Sequence, residues 1–227
     1  MRYSIIVPTL NEASGIQPCL QALQVLRGKA EIIVVDGGSH DDTVKLASPL
    51  ADQIVLSDTG RAKQMNQAAL VANGDLLIFL HADTFLPANA LTLIEQSLSN
   101  TQTWGCFRLR LAGKPWLLKV ISVMVNLRTR LTGIVTGDQT LFIRRQTFFS
   151  VGCYPEIALM EDIALSNQLN RFSRPCCVPG YVTSSGRRWE QNGVCKTILL
   201  MWTLRARYAL GTNPEKLAQL YQNTRCQ

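Results

Sequence analysis

The sequence contains no Cys-x-x-Cys pair, no internal repeat, no Pro/Ser-rich linker and no run of roughly 18 uncharged apolar residues. Without paired spacings neither a disulfide framework nor a metal cluster is supported, and the adjacent Cys176 and Cys177 cannot form a zinc knuckle. The 7 cysteines are odd in number and irregularly spaced, so they read as reduced, small hydrophobes of a cytosolic protein. Lys119 and Lys196 interrupt the two most apolar stretches, so no bilayer span is expected. The opening MRYSIIVPTLNE has one basic residue and an apolar run that breaks at Pro8, which reads as a first strand and not as a signal peptide. No nucleic-acid reader motif occurs, nor a basic run interleaved with aromatics, so no nucleic-acid partner is expected.

What is present is an ordinary globular composition. At 227 residues, 47% hydrophobic and 17% charged, the chain can bury a large core without cross-links, which excludes disorder, collagen-like repeats and coiled coil. One domain over residues 1–227 is the expectation. The net charge of +7 is unevenly placed: residues 1–113 hold 8 Lys/Arg against 10 Asp/Glu, and residues 114–227 hold 15 against 6. A basic second half suits a phosphorylated ligand or an anionic membrane surface.

The first half alternates. Short aliphatic strands at Tyr3–Val7, Glu31–Val35, Gln53–Leu56 and Leu76–Leu80 are separated by helical patterns at Ile16–Leu26, Asp41–Ala47 and Ala62–Ala72. This βαβαβαβ order predicts a mainly parallel sheet flanked by helices, an α/β Rossmann-like fold whose ligands bind beyond the carboxyl ends of the strands. In the second half, strands are expected at Gly105–Leu111, Gln139–Arg144 and Cys176–Thr183, and helices at Trp116–Leu131, from Glu161 and at Gly193–Leu210.

Three strands end in polar residues. Pro8, Thr9, Asn11 and Glu12 follow the first, Asp36, Gly37, Gly38 and Ser39 the second, and His81, Ala82 and Asp83 the strand that ends at Leu80. Asp36 can accept hydrogen bonds from a base imide or a ribose hydroxyl, and the glycines let backbone approach a ligand. The plainer alternative is a turn, with Asp41 capping the next helix. Arg61, Gln64 and Asn66 open a helix with cationic and amide groups on one side, placed for a phosphate or a base, or else forming a solvated face.

The series Val7-Pro8-Thr9-Leu10-Asn11-Glu12, Val34-Val35-Asp36-Gly37-Gly38-Ser39 with Asp41, Asp42 and Thr43, and His81-Ala82-Asp83 resembles the family 2 glycosyltransferases of the GT-A fold. Gly137-Asp138-Gln139, Leu159-Met160-Glu161-Asp162 and Ser185-Gly186-Arg187-Arg188-Trp189 are similar to a subgroup of small soluble bacterial members known as arsenosugar-biosynthesis-like or selenodomain-associated. The likeness runs through nearly the whole chain. It implies a nucleotide-diphospho-sugar transferase whose donor-binding half is 1–113 and acceptor-binding half 114–227. It gives nucleotide-sugar contacts to Pro8, Thr9, Asn11, Glu12, Asp36, Gly38, Ser39, Arg61, Gln64, His81, Ala82 and Asp83.

The family usually carries an acidic D-x-D motif at the third strand end, its last Asp holding Mg²⁺ or Mn²⁺ against the two phosphates. Here His81 replaces the first Asp and Asp83 keeps the last. One carboxylate suffices when phosphate oxygens and water complete the shell, and His81 also suits Mn²⁺. The alternatives are a buried hydrogen-bonded ring for His81 and a helix cap for Asp83. An acceptor hydroxyl must lose its proton as it attacks the anomeric carbon. The resemblance gives that task to Asp162, with Glu161 orienting nearby and an inverting single displacement; the alternative is that both cap the following helix. Arg187, Arg188 and Trp189 are candidate diphosphate or acceptor contacts, and Gly137, Asp138 and Gln139 candidate acceptor contacts, against plain packing or a turn. The Q-x-x-R-W motif of processive synthases is incomplete, because Ser185 stands where its Gln would be.

A UDP-sugar donor, an unidentified small-molecule, lipid or glycan acceptor, and a cytoplasmic enzyme with possible peripheral contact at the inner membrane face are the resulting expectations. The basic amphipathic stretches Lys114–Arg130 and Lys196–Arg207 are read first as core helices with a charged edge. The competing classes are a nucleotidyltransferase, which would show a glycine-rich loop after the first strand, and a non-catalytic nucleotide-binding or membrane-peripheral module, which the joint presence of Asp83, Glu161 and Asp162 disfavours.

Overall fold

The computed structural model describes residues 2–98 and 102–223; Met1 and Cys226 lie outside the described residues. The first aliphatic run forms β1 (Tyr3–Thr9), buried except at Pro8. Chain order continues with α1 (Ala13–Leu23), β2 (Ala30–Asp36), α2 (Thr43–Ala47), β3 (Gln53–Leu56), α3 (Arg61–Val71), β4 (Leu76–Phe79), β5 (Thr84–Phe85) and α4 (Ala90–Ser97). The second half adds β6 (Trp104–Ala112), α5 (Leu117–Thr132), β7 (Leu141–Arg144), α6 (Arg145–Ser150), α7 (Glu161–Leu169), β8 (Cys176–Ser185), α8 (Arg187–Asn192), α9 (Val194–Ala209) and α10 (Pro214–Asn223).

The eight strands form one sheet in the order β3-β2-β1-β4-β7-β6-β8-β5. β1 runs parallel to β2 and β4, and β2 to β3, with Thr9 opposite Asp36. β7 is antiparallel to both β4 and β6, and β6 is parallel to β8. The strands β1, β2, β4, β6 and β8 therefore all end at one edge of the sheet, and β7 begins there. Residues that follow those strands, and those that precede β7, are gathered along that edge by topology alone.

Successive strand residues point to opposite faces, and the core divides accordingly. Ile5, Val7, Ile32 and Val34 pack with Ile16, Leu20 and Leu23 of α1 on one face. Ile6, Ile33 and Val35 pack with Ala62, Met65, Ala68 and Ala69 of α3 on the other, where Leu165 and Leu169 of α7 also lie. Burial on both faces is why the strands read as continuous apolar runs and not as alternating ones. Phe79, the last residue of β4, meets Phe148 at 5.2 Å and Tyr154 at 5.1 Å between ring centroids. These contacts tie the chain leading into α7 to the strand end that carries His81.

Some elements differ from expectation. The first helix starts at Ala13 and gives way to a 3₁₀ turn over Gln24–Leu26. The strand expected from Gln139 begins at Leu141, because Gly137–Gln139 coil into a 3₁₀ turn closed by a Thr136–Gln139 capping box, and Thr140 has φ 53°. α4 was not anticipated, since its buried residues Ala90, Leu91 and Ile94 span less than two turns. The two basic stretches form helices that pack on the core, α5 through Leu118, Ile121 and Val125 and α9 through Val194 and Ile198, while much of their apolar surface stays exposed: α5 fully buries Leu118, Ile121, Ser122 and Thr129, and α9 Thr197 and Leu204.

Candidate active site

The strand-end loops are stitched to one another. The Asn11 amide donates to Ser39 Oγ (2.8 Å), and the Asn11 side-chain oxygen accepts from His40 N–H (2.9 Å). Glu12 N–H donates to Thr43 Oγ1 (2.8 Å) and Ala13 N–H to Asp41 Oδ2 (3.1 Å). Asp36 is buried, and its carboxylate accepts from the amides of Gly38 (3.0 Å) and Ser39 (2.8 Å), from Ser39 Oγ, and from Thr9 Oγ1 (3.3 Å). Gln64 Nε2 bridges the ends of β1 and β2 by donating to the carbonyls of Thr9 (2.7 Å) and Val35 (3.0 Å). Asn66 is spent on both backbone groups of Tyr154. The hydrogen bonds of Asn11, Asp36, Ser39, Gln64 and Asn66 thus shape the loops.

Above these loops opens a cavity of about 500 Å³. Pro8, Thr9 and Glu12 line it from the end of β1, Arg61 and Gln64 from the start of α3, and His81, Ala82 and Asp83 from the end of β4. Asp138 lines it from the turn before β7, and Arg187, Arg188 and Trp189 from α8. Leu10, Thr59, Gly60, Ser184, Ser185, Gln191 and Asn192 complete the wall. Asn11, Asp36, Gly38, Ser39, Gly137, Gln139, Glu161 and Asp162 stand outside that lining.

The cavity mixes charges of both signs. His81 Nδ1 lies 3.4 Å from Asp138 Oδ1. Burial works against the Asp138 carboxylate, yet the His81 hydrogen bond and charge, with Arg61 and Arg188, hold it down at about 2. Glu12 is raised, first by burial and then by the facing Asp83 charge, against the pull of Arg187, whose Nη2 is 3.9 Å away. Arg61 reaches solvent along the cavity wall. Burial opposes its charge, but the surrounding Glu161, Tyr221, Asp162 and Asp138 raise its pKa on balance. Arg188 stacks on Tyr221, 4.8 Å from the ring centroid.

Glu161 and Asp162 begin α7, entered through Met160 at φ 73°, a left-handed conformation uncommon for a side chain of this size. No side chain caps this helix. Asp162 Oδ2 instead accepts the Gly137 N–H at 2.8 Å, so the carboxylate spans from α7 to the turn before β7. Burial raises Asp162, with His81, Arg61 and the Gly137 amide pulling it back. Burial, and then the Asp162 charge, push Glu161 up to about 7. The turn is itself anchored by Gln139, buried, whose Oε1 accepts from Thr129 Oγ1 (2.8 Å) and Arg128 Nη2 (3.3 Å).

Gly137 has no room for a side chain: a Cβ there would meet His81 Nε2 at 2.2 Å and Asp162 Oδ2 at 3.1 Å. We expect Gly137→Ala to displace the partly buried His81 ring from Asp138. Overpacking of this kind costs about 1–3 kcal/mol, so a lowered melting temperature should appear in calorimetry. A variant as stable as the parent would contradict the crowding.

Arg128 was not singled out from the sequence. It lies on α5 behind Asp138, and burial, then Arg205 of α9, lower it to about 10. Its signal was an arginine on a largely apolar helix. Thr59 and Gly60 directly precede Arg61, and Gln191 and Asn192 follow the Arg187-Arg188-Trp189 run one residue on, after Glu190, so nearness to motif residues was the signal for these.

Among the described residues no group of three His, Cys, Asp or Glu side chains converges as a metal centre. What exists is a pair of facing carboxylates, Glu12 and Asp83, on the cavity wall. Asp83 accepts from Thr84 Oγ1 (3.3 Å), with His81 turned toward Asp138. This donor set fits a divalent cation held jointly with phosphate oxygens, not a cage of protein ligands alone.

A mainly parallel sheet interrupted by the antiparallel β7, with acidic and cationic residues along its carboxyl edge, is the architecture of the GT-A transferases. The profile of glycosyl transferase family 2 matches residues 4–144. The chain belongs to that family, which places it among transferase enzymes. It is 36% identical over 121 residues to an uncharacterized glycosyltransferase of Mycobacterium tuberculosis, covering 48% of this chain and 46% of that protein. The matched segments span 46% and 36% of the length of the curated relatives. Among solved structures it is similar to the mannosyltransferase PcManGT of Pyrobaculum calidifontis in complex with GDP-Man and Mn²⁺, with TM-score 0.60 and 21% identity over 81% of this chain and 56% of that one. It is also similar to S. aureus TarS in complex with UDP-GlcNAc, with TM-score 0.65 and 19% identity over 82% of this chain and 58% of that one. These structures share the GT-A fold with it.

Proposed function

We propose that this protein transfers a glycosyl group from a nucleotide diphosphate sugar to an acceptor hydroxyl by inverting displacement. The observation that carries the reading is that Asp162, held on the Gly137 amide, stands at the same sheet edge as the cavity that contains Arg61, His81 and Asp83. The donor is assigned to the elements before residue 113. Asp36, Gly38, Ser39 and Asn11 serve it by fixing the two loops that receive the nucleoside, with Pro8, Thr9, Glu12, Gln64 and Ala82 forming the floor and wall. Arg61, Arg187 and Arg188 supply positive charge for the diphosphate. UDP is the favoured nucleotide.

Asp83 is the residue that would hold Mg²⁺ or Mn²⁺ against the diphosphate. When bound, such an ion neutralises the charge that gathers on the leaving diphosphate. Asp162 takes the proton of the acceptor hydroxyl as the bond to the anomeric carbon forms, and Glu161, buried behind it, keeps its own proton and position. Asp138 and His81 orient one another on the acceptor side, with Trp189 offering a stacking face for the acceptor. Assignment to the arsenosugar-biosynthesis-like subgroup rests on the Gly137, Glu161 and Arg187 motifs. A nucleotide-sugar donor and cysteines read as reduced thiols suit the cytoplasmic compartment.

The test is thermal shift with UDP and GDP, each with and without Mn²⁺. The parent should be stabilised by UDP more in the presence of metal, and Asp83→Ala should lose the metal-dependent part alone. Equal metal-dependent stabilisation of Asp83→Ala would remove that residue from the metal site, and no stabilisation of the parent by any nucleotide would remove the reading itself.

A further inference from the structure

α5 carries an apolar stripe that nothing among the described residues covers. Trp116, Val120, Val123, Met124, Leu127 and Leu131 recur at helical spacing on its outer side, with Trp116 70%, Val123 64% and Leu131 66% exposed. α9 repeats the pattern with Leu199 (67% exposed) and Trp202 (64%), continuing to Leu210 beyond its end. Scattered apolar residues on a surface need no explanation; a stripe at helical spacing does.

The two helices lie on the same side of the molecule. Val125 of α5 and both Val194 and Ile198 of α9 pack on one core cluster, and Arg205 of α9 is near enough to Arg128 to depress it. Neither helix contains an Asp or Glu, whereas Lys119 and Arg130 of α5 and Lys196 and Arg207 of α9 are exposed, with Arg128 and Arg205 partly buried. An apolar stripe beside cations and without carboxylates is complementary to a surface that is apolar inside and anionic outside. A protein partner selected for its charge alone would not require the stripe.

The face also borders the cavity. Glu190 of α8 accepts the Lys114 N–H (2.7 Å) just ahead of α5. Arg188 and Asn192 line both the cavity and a smaller pocket shared with Lys196, Leu200 and Met201 of α9. No helix among the described residues is long and apolar enough to cross a membrane, so contact through these helices is contact from one side.

We propose that the outer faces of α5 and α9 seat this protein on an anionic lipid surface, with the cavity mouth beside the headgroups. The docking stands without the transfer reading; only the further step, that the acceptor is presented from the membrane, rests on it.

Flotation with phosphatidylcholine vesicles, with and without added phosphatidylglycerol, tests the docking without any sugar donor. The parent should float with the anionic vesicles and stay behind with the neutral ones. Val123→Glu combined with Trp202→Glu, both at exposed positions, should cut the floated fraction by about tenfold while the melting temperature is unchanged. Lys196→Glu combined with Arg207→Glu should weaken flotation in the same direction without touching the apolar stripe. Failure of the parent to float, or flotation indifferent to both double variants, overturns the proposal. So does a concentration-dependent dimer of the parent, seen by light scattering and abolished by Val123→Glu with Trp202→Glu, which would give the face to a second copy. Loss of nucleotide binding in the thermal-shift test would leave the flotation result standing, so the two readings fail separately.

Discussion

Asp162→Asn should leave nucleotide-dependent stabilisation intact and lower transfer to a real acceptor by about 10²-fold or more. The substitution is chosen because the geometry isolates the proton. Asp162 Oδ2 accepts one bond from the Gly137 amide, and an Asn side-chain oxygen can accept the same bond. What Asn lacks is the ability to take a proton from a hydroxyl. The carboxylate does not serve as a cap for its own helix, where Asn would substitute well and leave transfer untouched. Parallel measurement of donor binding by thermal shift and of product formation therefore separates the two roles. Transfer within about threefold of the parent would take Asp162 out of the mechanism.

The parallel half of the fold was legible because its strands are buried on both faces and its helices fall between them at regular intervals. Ile5, Ile6 and Val7 announce a strand without any alternation, and the polar residues after them announce its end. The convergence of the motifs followed from topology, since parallel strands share an edge. Less legible was the entry of β7 in the opposite sense. That reversal brings the Gly137–Gln139 turn, which precedes its strand, to the edge where the other motifs follow theirs.

The division of labour within each motif was not legible either. Asn11, Asp36, Ser39 and Gln64 read as ligand contacts by type, because a polar side chain at a strand end can bond a ligand or its own loop equally well. In the structure their hydrogen bonds go to backbone and side chains of the neighbouring loops, and the cationic residues Arg61, Arg187 and Arg188 face the cavity. The exposed stripes on α5 and α9, beside the faces that pack on the core, were not legible for a related reason. A run such as Val120, Val123, Met124 and Leu127 has the periodicity of a buried face whether protein or lipid covers it, and periodicity alone does not say which.

The second carboxylate of the pair is expected to behave oppositely to the first. Glu161 is buried and its pKa is pushed from the ordinary 4.5 to about 7, by burial and then by the Asp162 charge. In the unfolded chain it ionises near 4.5, so between that value and about 7 the folded state holds the extra proton. Stability then falls as pH rises through this window, and the full contribution of this group is present only below it. Glu161→Gln removes the buried ionisation while keeping size and hydrogen bonding. The variant should melt several degrees above the parent at pH 8 and converge with it below the unfolded value of 4.5, with an upper limit to the gap of about 3 kcal/mol. Gln also mimics the protonated form that Glu161 keeps while Asp162 is ionised, so transfer at neutral pH should stay within about threefold of the parent. The comparison decides which carboxylate is the base, because a group with a pKa near 7 is itself well suited to that task. If Glu161→Gln abolishes transfer and Asp162→Asn spares it, the two assignments are exchanged. If the melting curves of parent and Glu161→Gln fall together with pH, the buried ionisation is not where the structure places it.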